Sequence, residues 1–180
     1  RRQAPAWLQR AKLAIAAVSQ RLTFALRQAG SALYAAWCWS LFALLALPVV
    51  PLVVLLRQPA LGRRLARAAA RLFLALTAMP LRVDGIARLP RQAHLLLSNH
   101  TSYFDILALA AALPPDYAFV AKRELVRQPL LHAFLRGLGT LFVERYEAAR
   151  SAEDVEEVVV ALRQGQSLLV FPEGTFSRES

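Results

Sequence analysis

Apolar and polar positions follow one pattern up to about residue 82 and another pattern after it. In residues 7–26 the apolar positions recur at the spacing of one helix face and most basic residues lie off it, which predicts an amphipathic helix. Residues 29–56 then contain no charged residue. This run is longer than the stretch of about 20 residues that a helix needs to span a bilayer. Because Pro48 and Pro51 lie inside it, the run predicts a kinked span or two short helices in a re-entrant hairpin. A hairpin buried in a protein core is the alternative that needs no membrane.

A second amphipathic helix is predicted over residues 61–79, and Pro80 ends it. One face consists of Leu61, Leu65, Ala69, Leu72, Leu76 and Met79, and the opposite face of Arg63, Arg64, Arg67 and Arg71. These arginines are compatible with a solvated face, but beside an apolar run they are more typical of contacts with lipid head groups. We therefore expect residues 1–82 to form a membrane-associating helical region whose arginine face lies toward the head groups.

From residue 83 onward, short apolar runs alternate with helical periodicity, which indicates an α/β domain over residues 83–180. The predicted fold class is α/β, with a mixed sheet flanked by helices and preceded by N-terminal membrane-associated amphipathic and apolar helices. Strands are predicted at residues 81–84, 94–98, 117–121, 140–143 and 167–171. Helices are predicted after residue 103, from Pro129, and after a capping box of Ser151 with Asp154. We expect this domain to be incomplete at its C-terminus.

Charge is distributed unevenly between these two regions. The net charge is +10, and residues 1–83 contain no Asp or Glu. Their bases flank apolar segments and form no nucleic-acid-binding motif, so the expected partner is an anionic membrane surface and not a nucleic acid. A single Cys excludes an intrachain disulfide, and the three His have no metal-ligand spacing, so no metal site is expected.

The candidate chemistry centres on His100, at the junction of a predicted strand and the helix that follows it. Ligand sites of α/β folds lie at such junctions. Asp105 comes about one helical turn later, where its carboxylate can fix the imidazole tautomer and stabilise the imidazolium. Such a pair can take a proton from a substrate hydroxyl without a Ser or Cys nucleophile. The alternative is that His100 caps the helix and Asp105 is a solvated acid in its first turn.

Two further groups of residues follow predicted strands. Arg145 comes after the strand at residues 140–143, where a guanidinium can bind a phosphate through two parallel hydrogen bonds. Residues 171–175, Phe-Pro-Glu-Gly-Thr, end the next strand in a turn whose N–H groups can face an anion. The alternatives are a surface pairing of Arg145 with Glu144 or Glu147, and an ordinary turn.

Together these motifs resemble the membrane glycerolipid acyltransferases, the family of 1-acylglycerol-3-phosphate (lysophosphatidate) acyltransferases. The Asn-His-x4-Asp motif of that family is matched by Asn99, His100 and Asp105. Its second block is matched by Lys122, Glu124, Pro129, Gly139, Phe142 and Arg145, and its third by residues 171–175. The chain departs from the pattern at Phe176, where many members have Arg, and at His132, where many have Gly.

The resemblance implies transfer of a fatty acyl group from acyl-CoA or acyl-carrier protein to the hydroxyl of a lysophospholipid, with 1-acylglycerol 3-phosphate as the expected acceptor. It implies no cofactor beyond that co-substrate, and a location at the inner or plasma membrane with the catalytic domain on the cytoplasmic side. Its catalytic residues would be His100 and Asp105. The acceptor-binding residues would be Lys122, Arg145, Glu173, Gly174 and Thr175.

Other functions remain open on these residues. The acceptor can instead be another lysolipid or glycerol 3-phosphate. Phe176, which departs from the family pattern, is a candidate mark of a different acceptor specificity. A non-catalytic membrane anchor that gathers anionic lipid would explain residues 1–82 but not the three motifs. A membrane-associated hydrolase would use His100 and Asp105 on water, and it would release free fatty acid instead of acylated lipid.

Overall fold

A computed structural model describes the backbone of residues 6–143 and 148–172, and the side chains of residues 19–143 and 154–172. The chain divides into two compact units, Arg1–Ala43 and Leu44–Ser180. The described part of the first unit is helical throughout. The second unit contains the remaining helices and all the described strands. The predicted functional division at residue 82 stays a prediction.

The first helix, α1, runs from Ala6 to Leu56. It contains Ser19–Leu56, a segment of 38 residues that is long and apolar enough to cross a membrane. No other helix within the described residues has that length and composition. The helix continues through Pro48 and Pro51, so the re-entrant hairpin is wrong. Each proline removes only one backbone hydrogen bond, and no Gly, Asn or Asp lies nearby at which the chain would reverse.

After α1 the chain forms a second helix, and strands then alternate with helices. The helices are α2 Pro59–Leu76, α3 Tyr103–Ala112, α4 Pro129–Gly137 and α5 Ala148–Arg163, and the strands are β1 Leu95–Leu97, β2 Tyr117–Lys122, β3 Leu141–Val143 and β4 Ser167–Val170. Short 3-10 turns occupy Ile86–Arg88 and Arg123–Arg127. After α4 and α5 the chain turns at Gly139 (φ 72°) and Gly165 (φ 87°), in the left-handed region that glycine enters without steric cost.

The four described strands form one parallel sheet in the order β1-β4-β2-β3. The α/β class is confirmed, but the mixed sheet is wrong, because the connections between these strands contain helices that carry the chain back to the same edge. The strand predicted at residues 81–84 is also wrong. Leu81 and Val83 are exposed there, and no described strand pairs with them.

Two apolar clusters cover the two faces of the sheet. Leu113, Tyr117, Leu169 and Phe171 form one, and Ala118, Val120, Ala161 and Leu168 form the other. The consecutive residues Leu168 and Leu169 belong to different clusters, as side chains alternate across a strand, and both are completely buried. Strand β4 is therefore a central strand, and its C-terminal end lies between its neighbours at the middle of the sheet edge.

The capping box predicted for α5 is wrong. The helix begins at Ala148, so Ser151 lies inside it. Asp154 serves a different purpose: it is buried, and its Oδ1 accepts a hydrogen bond from Nη2 of Arg123, 2.5 Å away. A buried carboxylate is costly without a cationic partner, and that partner comes from another element that sequence spacing does not reveal.

Two arginines of α2, Arg63 and Arg71, contact the protein, which corrects their predicted orientation toward lipid. Arg63 is part-buried, and its Nε donates a hydrogen bond to the carbonyl of Pro115 (2.6 Å) and its Nη1 to that of Leu138 (2.9 Å). Nη1 of Arg71 donates to the carbonyl of Ala111, 3.4 Å away. Ala111 and Leu138 lie at the C-terminal ends of α3 and α4, where carbonyls carry partial negative charge that attracts cations. Burial lowers the pKa of Arg63, and the charge of Asp116 opposes that shift.

Three of the five leucines of α2 are correspondingly exposed. The buried residues of this helix are Gly62, Ala70, Phe73 and Leu74, whereas Leu61, Leu72 and Leu76 expose 37%, 46% and 49% of their surface. An amphipathic helix in water buries its apolar face, so this arrangement leaves an apolar surface on the second unit.

Candidate active site

His100 lies just beyond the C-terminal end of β1. Pairing of β1 with β4 continues for one residue past the strand, because the N–H of Ser98 donates to the carbonyl of Val170 (3.1 Å). This pairing brings His100 beside Phe171, the residue that follows β4. Their rings are stacked, with centroids 4.2 Å apart and planes inclined by 25°. Phe171 is buried, so the imidazole rests on a fixed apolar surface.

Asp105 is fixed by the start of α3. Ser102 caps this helix: its Oγ accepts a hydrogen bond from the N–H of Phe104 (3.2 Å), and Asp105 completes a capping box with it. Oδ2 of Asp105 accepts hydrogen bonds from the N–H groups of Thr101 (2.7 Å) and Ser102 (2.8 Å). The carboxylate therefore has a defined position before any substrate binds.

The same carboxylate oxygen faces His100. Nδ1 of His100 lies 3.4 Å from Oδ2 of Asp105, and the imidazole side chain is 13% exposed. The pKa of Asp105 is lowered, chiefly by the hydrogen bonds from the backbone of Ser102 and Thr101, with a smaller contribution from His100. The carboxylate is thus negatively charged at neutral pH, and it presents this charge to the imidazole of His100.

This geometry assigns a role to each nitrogen of the imidazole. Because Nδ1 faces Asp105, Nε2 is the nitrogen that can take a proton from a substrate hydroxyl. A carboxylate held beside an imidazole in this way is an arrangement that can orient a general base. The alternative in which His100 caps the helix is wrong, because Ser102 is the capping residue of α3.

Lys122 is the last residue of β2, and it is paired in register with Val143 at the end of β3. Since all four strands are parallel, Lys122 lies at the same edge of the sheet as His100 and Phe171. Arg145 and residues 173–175, which include Glu173, Gly174 and Thr175, lie outside the described residues. Their assignment to the acceptor site stays a prediction.

The model of the acyltransferase family matches residues 80–180, more than half of the chain and the whole stretch from β1 to β4. This chain belongs to the acyltransferase family.

Several curated proteins are similar to this acyltransferase domain. The 1-acyl-sn-glycerol-3-phosphate acyltransferase of Borreliella burgdorferi is 27% identical over 113 residues, which cover 62% of the chain and 45% of that protein. The lyso-ornithine lipid O-acyltransferase of Rhizobium meliloti is 37% identical over 98 residues, 54% of the chain and 33% of that protein. The 1-acyl-sn-glycerol-3-phosphate acyltransferase of Saccharomyces cerevisiae is 29% identical over 103 residues, 57% of the chain and 34% of that protein. The matches thus span less than half of each relative. No solved structure is significantly similar to the chain.

Two contacts of this candidate site were not predicted from the sequence. Phe171 is part of a motif, but its stacking on His100 depends on the pairing of β1 with β4, which are far apart in the chain. The capping box of Ser102 with Asp105 has the spacing of a Ser followed three residues later by an acid, and that local signal was available.

Arg123, directly after β2, ties together the strand ends near the acyltransferase site. Its Nη2 donates hydrogen bonds to Oδ1 of Asp154 on α5 (2.5 Å) and to the carbonyl of Phe142 on β3 (3.3 Å). Through these contacts one guanidinium joins β2, β3 and α5. The end of β3, two residues before Arg145 in the sequence, is thus held by the side chain that follows β2 and that also contacts α5.

The other two histidines of this acyltransferase contact residues away from His100. The hydroxyl of Tyr117 donates to Nε2 of His94 (2.7 Å), because Nδ1 of His94 lies 2.9 Å from the carbonyl of Gln92 and donates to it. The ring of His132 meets that of Phe142 edge to face, with centroids 5.2 Å apart. Within the described residues, no three His, Cys, Asp or Glu side chains are grouped so that they could hold a metal ion.

Proposed function

We propose that this chain transfers a fatty acyl group from a thioester, acyl-CoA or acyl-carrier protein, to a hydroxyl of 1-acylglycerol 3-phosphate. The observation that carries the proposal is the placement of Nδ1 of His100 3.4 Å from a carboxylate oxygen that two backbone N–H groups hold in position. This pair suits a general base for a hydroxyl nucleophile. Membership of the acyltransferase family and the names of the similar proteins support the reaction class.

The proposed reaction takes place in one acyl transfer without an acyl-enzyme. Nε2 of His100 takes the proton of the acceptor hydroxyl while the hydroxyl oxygen attacks the thioester carbonyl. The carbon–sulfur bond then breaks, and the leaving thiolate takes the proton from the imidazolium. Asp105 stabilises the imidazolium during the step and remains ionised. The products are an ester and a free thiol, and His100 returns to its neutral form.

The proposed acceptor site lies along the carboxyl edge of the sheet. Lys122 supplies positive charge there, at the end of β2. We assign the phosphate of the acceptor to Arg145, whose guanidinium can form two parallel hydrogen bonds with it. Glu173 orients a hydroxyl or Arg145, because a carboxylate repels a phosphate, and we assign Gly174 and Thr175 to the acceptor site as well. Arg145→Ala should therefore raise the KM for the acceptor more than it lowers kcat.

The proposed location is the inner or plasma membrane, with the catalytic domain on the cytoplasmic side, where thioester donors are found. Two observations support contact with lipid. The segment Ser19–Leu56 is long and apolar enough to cross a bilayer. The exposed Leu61, Leu72 and Leu76 give α2 an apolar outer face. The lipid acceptor resides in the same membrane.

A lyso-ornithine lipid is the second candidate acceptor. The similarity to the Rhizobium meliloti lyso-ornithine lipid O-acyltransferase favours it. That acceptor would present an ornithine carboxylate in place of a phosphate, and Arg145 could pair with either group in the same bidentate way. The transferred acyl group and the roles of His100 and Asp105 would be unchanged.

The test uses the full-length protein in detergent. It supplies an acyl thioester of CoA or of acyl-carrier protein together with either 1-acylglycerol 3-phosphate or lyso-ornithine lipid, and it measures the release of free thiol. Release that depends on 1-acylglycerol 3-phosphate supports the proposal, and release that depends on lyso-ornithine lipid selects the second candidate. Release without acceptor, accompanied by free fatty acid, would identify a hydrolase. No release with either donor would favour a non-catalytic anchor that binds anionic lipid.

The assay has a matched pair of variants. His100→Ala should abolish thiol release because it removes the general base, and His132→Ala should retain it because the ring of His132 contacts Phe142 instead of the catalytic pair. Turnover by His100→Ala at the wild-type rate would overturn the assignment of the base.

A further inference from the structure

A cleft of about 420 Å³ lies between the C-terminal end of α1 and α4 in the second unit. It is lined by Val54, Arg57, Ala133, Arg136 and Gly137. Three of these residues offer apolar or small surfaces, and the other two are exposed arginines. None of the described lining residues is acidic, so the cleft combines an apolar wall with a positive rim.

The helices beside this cleft are closely packed against one another. Val53 is completely buried, and both Gly62 on α2 and Gly137 on α4 approach it. A β-carbon on Gly137 would lie 2.8 Å from the carbonyl oxygen of Val53, and one on Gly62 would lie 2.7 Å from that of Gly137. Side chains at these positions would separate the helices. The cleft is therefore a feature of rigid packing between α1, α2 and α4.

Arg57 has an unusual backbone conformation. Its φ is 49°, in the left-handed region that residues other than Gly, Asn and Asp rarely adopt. The position ends α1, where glycine is the common residue because it has no β-carbon. The turn thus retains a cationic side chain at a position where the backbone alone would favour glycine. Strain of this kind is concentrated at ligand-binding sites.

The position of the cleft separates it from the catalytic pair. Gly137 lies four residues before β3 begins at Leu141, so this end of α4 is near the amino edge of the parallel sheet. His100 lies at the carboxyl edge. In the chain, Arg57 directly follows the apolar segment Ser19–Leu56, so it comes where a membrane span would meet the head groups.

We propose that this cleft binds the head-group phosphate of an anionic phospholipid of the membrane. Arg57 and Arg136 donate hydrogen bonds to the phosphate oxygens, and Val54 and Ala133 contact the glycerol and the first methylene groups. The charge of the two arginines and the absence of acids from the described lining favour an anion, and the apolar wall beside a candidate span favours a lipid over a free ion. Basic pockets beside membrane spans bind such head groups through this combination of charge and apolar contact. The site is separate from the proposed acyl transfer, and binding there does not require turnover.

The test measures lipid binding to the full-length protein in a neutral detergent by isothermal titration calorimetry. The probe is dihexanoylphosphatidylglycerol, and dihexanoylphosphatidylcholine and inorganic phosphate are the comparisons. We expect saturable binding of the phosphatidylglycerol that weakens with added salt, and binding of either comparison at least about tenfold weaker. Equal binding of phosphatidylcholine, or of inorganic phosphate, would overturn the proposal of an anionic lipid site.

Variants locate the binding. Arg57→Ala/Arg136→Ala should weaken binding of the phosphatidylglycerol by at least about tenfold, because two charge-assisted contacts are lost. The matched control, Arg64→Ala/Arg163→Ala, removes the same charge from exposed positions outside the cleft and should bind like the wild type. Wild-type binding by the cleft variant, or equal weakening in the control, would overturn the proposal.

Two further variants separate binding from folding. Arg57→Lys/Arg136→Lys keeps the charge and should bind more tightly than the alanine pair. Ala133→Leu keeps both arginines but narrows the cleft, and it should also weaken the binding. Circular dichroism identifies any variant that has lost its helices. Undiminished binding by a folded Ala133→Leu variant would contradict the placement of the lipid in this cleft.

Discussion

Nδ1 of His100 and Oδ2 of Asp105 lie 3.4 Å apart, and the oxygen is the same one that accepts hydrogen bonds from the backbone of Thr101 and Ser102. The carboxylate therefore does two things at once. It caps the start of α3, and it presents a fixed negative charge to the imidazole. We therefore expect substitutions at Asp105 to change both the stability and the proposed catalysis, and the choice of substitution decides which effect is seen.

Asp105→Asn should lower kcat by about a hundredfold or more with a much smaller change in the KM for the acceptor. The amide oxygen can still accept the backbone hydrogen bonds, but the charge that stabilises the imidazolium is lost. The measurement is thiol release at saturating acceptor, with circular dichroism as the folding control. Retention of the wild-type kcat would show that the charge has no catalytic role.

The lowered pKa of Asp105 also makes its contribution to stability depend on pH. A carboxyl whose pKa is lower in the folded protein than the unfolded value of about 3.9 stabilises the fold above that value, and this contribution is lost as the pH falls through the folded pKa. The Tm of the wild type should therefore exceed that of Asp105→Asn near neutral pH, and the difference should shrink on acidification from about pH 5 toward about pH 3. Thermal unfolding of both proteins across this range checks the prediction. A difference that does not change with pH would contradict it.

Phe171→Leu should lower kcat several-fold because the imidazole of His100 loses the ring on which it is stacked. Leucine keeps an apolar side chain in the cluster with Tyr117 and Leu169. The free energy of unfolding should therefore fall by only about 1 kcal/mol, which is within the range for swaps between hydrophobic residues in a core. The acceptor KM should change little. Steady-state kinetics together with a Tm measurement distinguish this positioning role from general destabilisation. A fall in Tm with unchanged kcat would show a purely structural role.

Arg63→Ala should lower the free energy of unfolding by about 2 kcal/mol, because the carbonyls of Pro115 and Leu138 lose their charged donor. Arg64, the next residue on α2, is exposed, and Arg64→Ala should change stability by less than about 0.5 kcal/mol. Denaturant unfolding in the same detergent compares the two variants. Equal effects would mean that these hydrogen bonds do not hold α2 to the ends of α3 and α4.

Asp154→Ala should destabilise the protein by about 2 kcal/mol, since the carboxylate is buried and Arg123 loses its partner. It should also raise the KM for the acceptor, because Arg123 holds the end of β3, which precedes Arg145 by two residues in the sequence. A double-mutant cycle with Arg123→Ala should give a coupling energy of at least about 1 kcal/mol. Additive effects of the two substitutions would exclude this interaction.

Much of the fold and part of the site could be predicted from local patterns. Helical periodicity placed α2, α3 and α4, and apolar runs bounded by turn residues placed the four strands within one or two residues. The spacing of His100 and Asp105 was informative because the stretch from His100, in the loop, to Asp105, in the first turn of α3, is only six residues long. Over such a short distance the local backbone geometry alone brings the two side chains together. The α/β class followed from the alternation of these elements.

Contacts between distant segments decided the rest. Whether the sheet was parallel, and which strands were neighbours, depended on crossovers that periodicity does not encode, and the stacking of Phe171 on His100 followed from that order. The two faces of α2 could be identified from its sequence, but which face met the protein could not. Carbonyls at or near the ends of α3 and α4, supplied by segments 40 to 75 residues away, attract Arg63 and Arg71 inward and leave Leu61, Leu72 and Leu76 exposed. Local sequence encodes the pattern of each element, whereas the partner that satisfies each buried polar group exists only once the chain is folded.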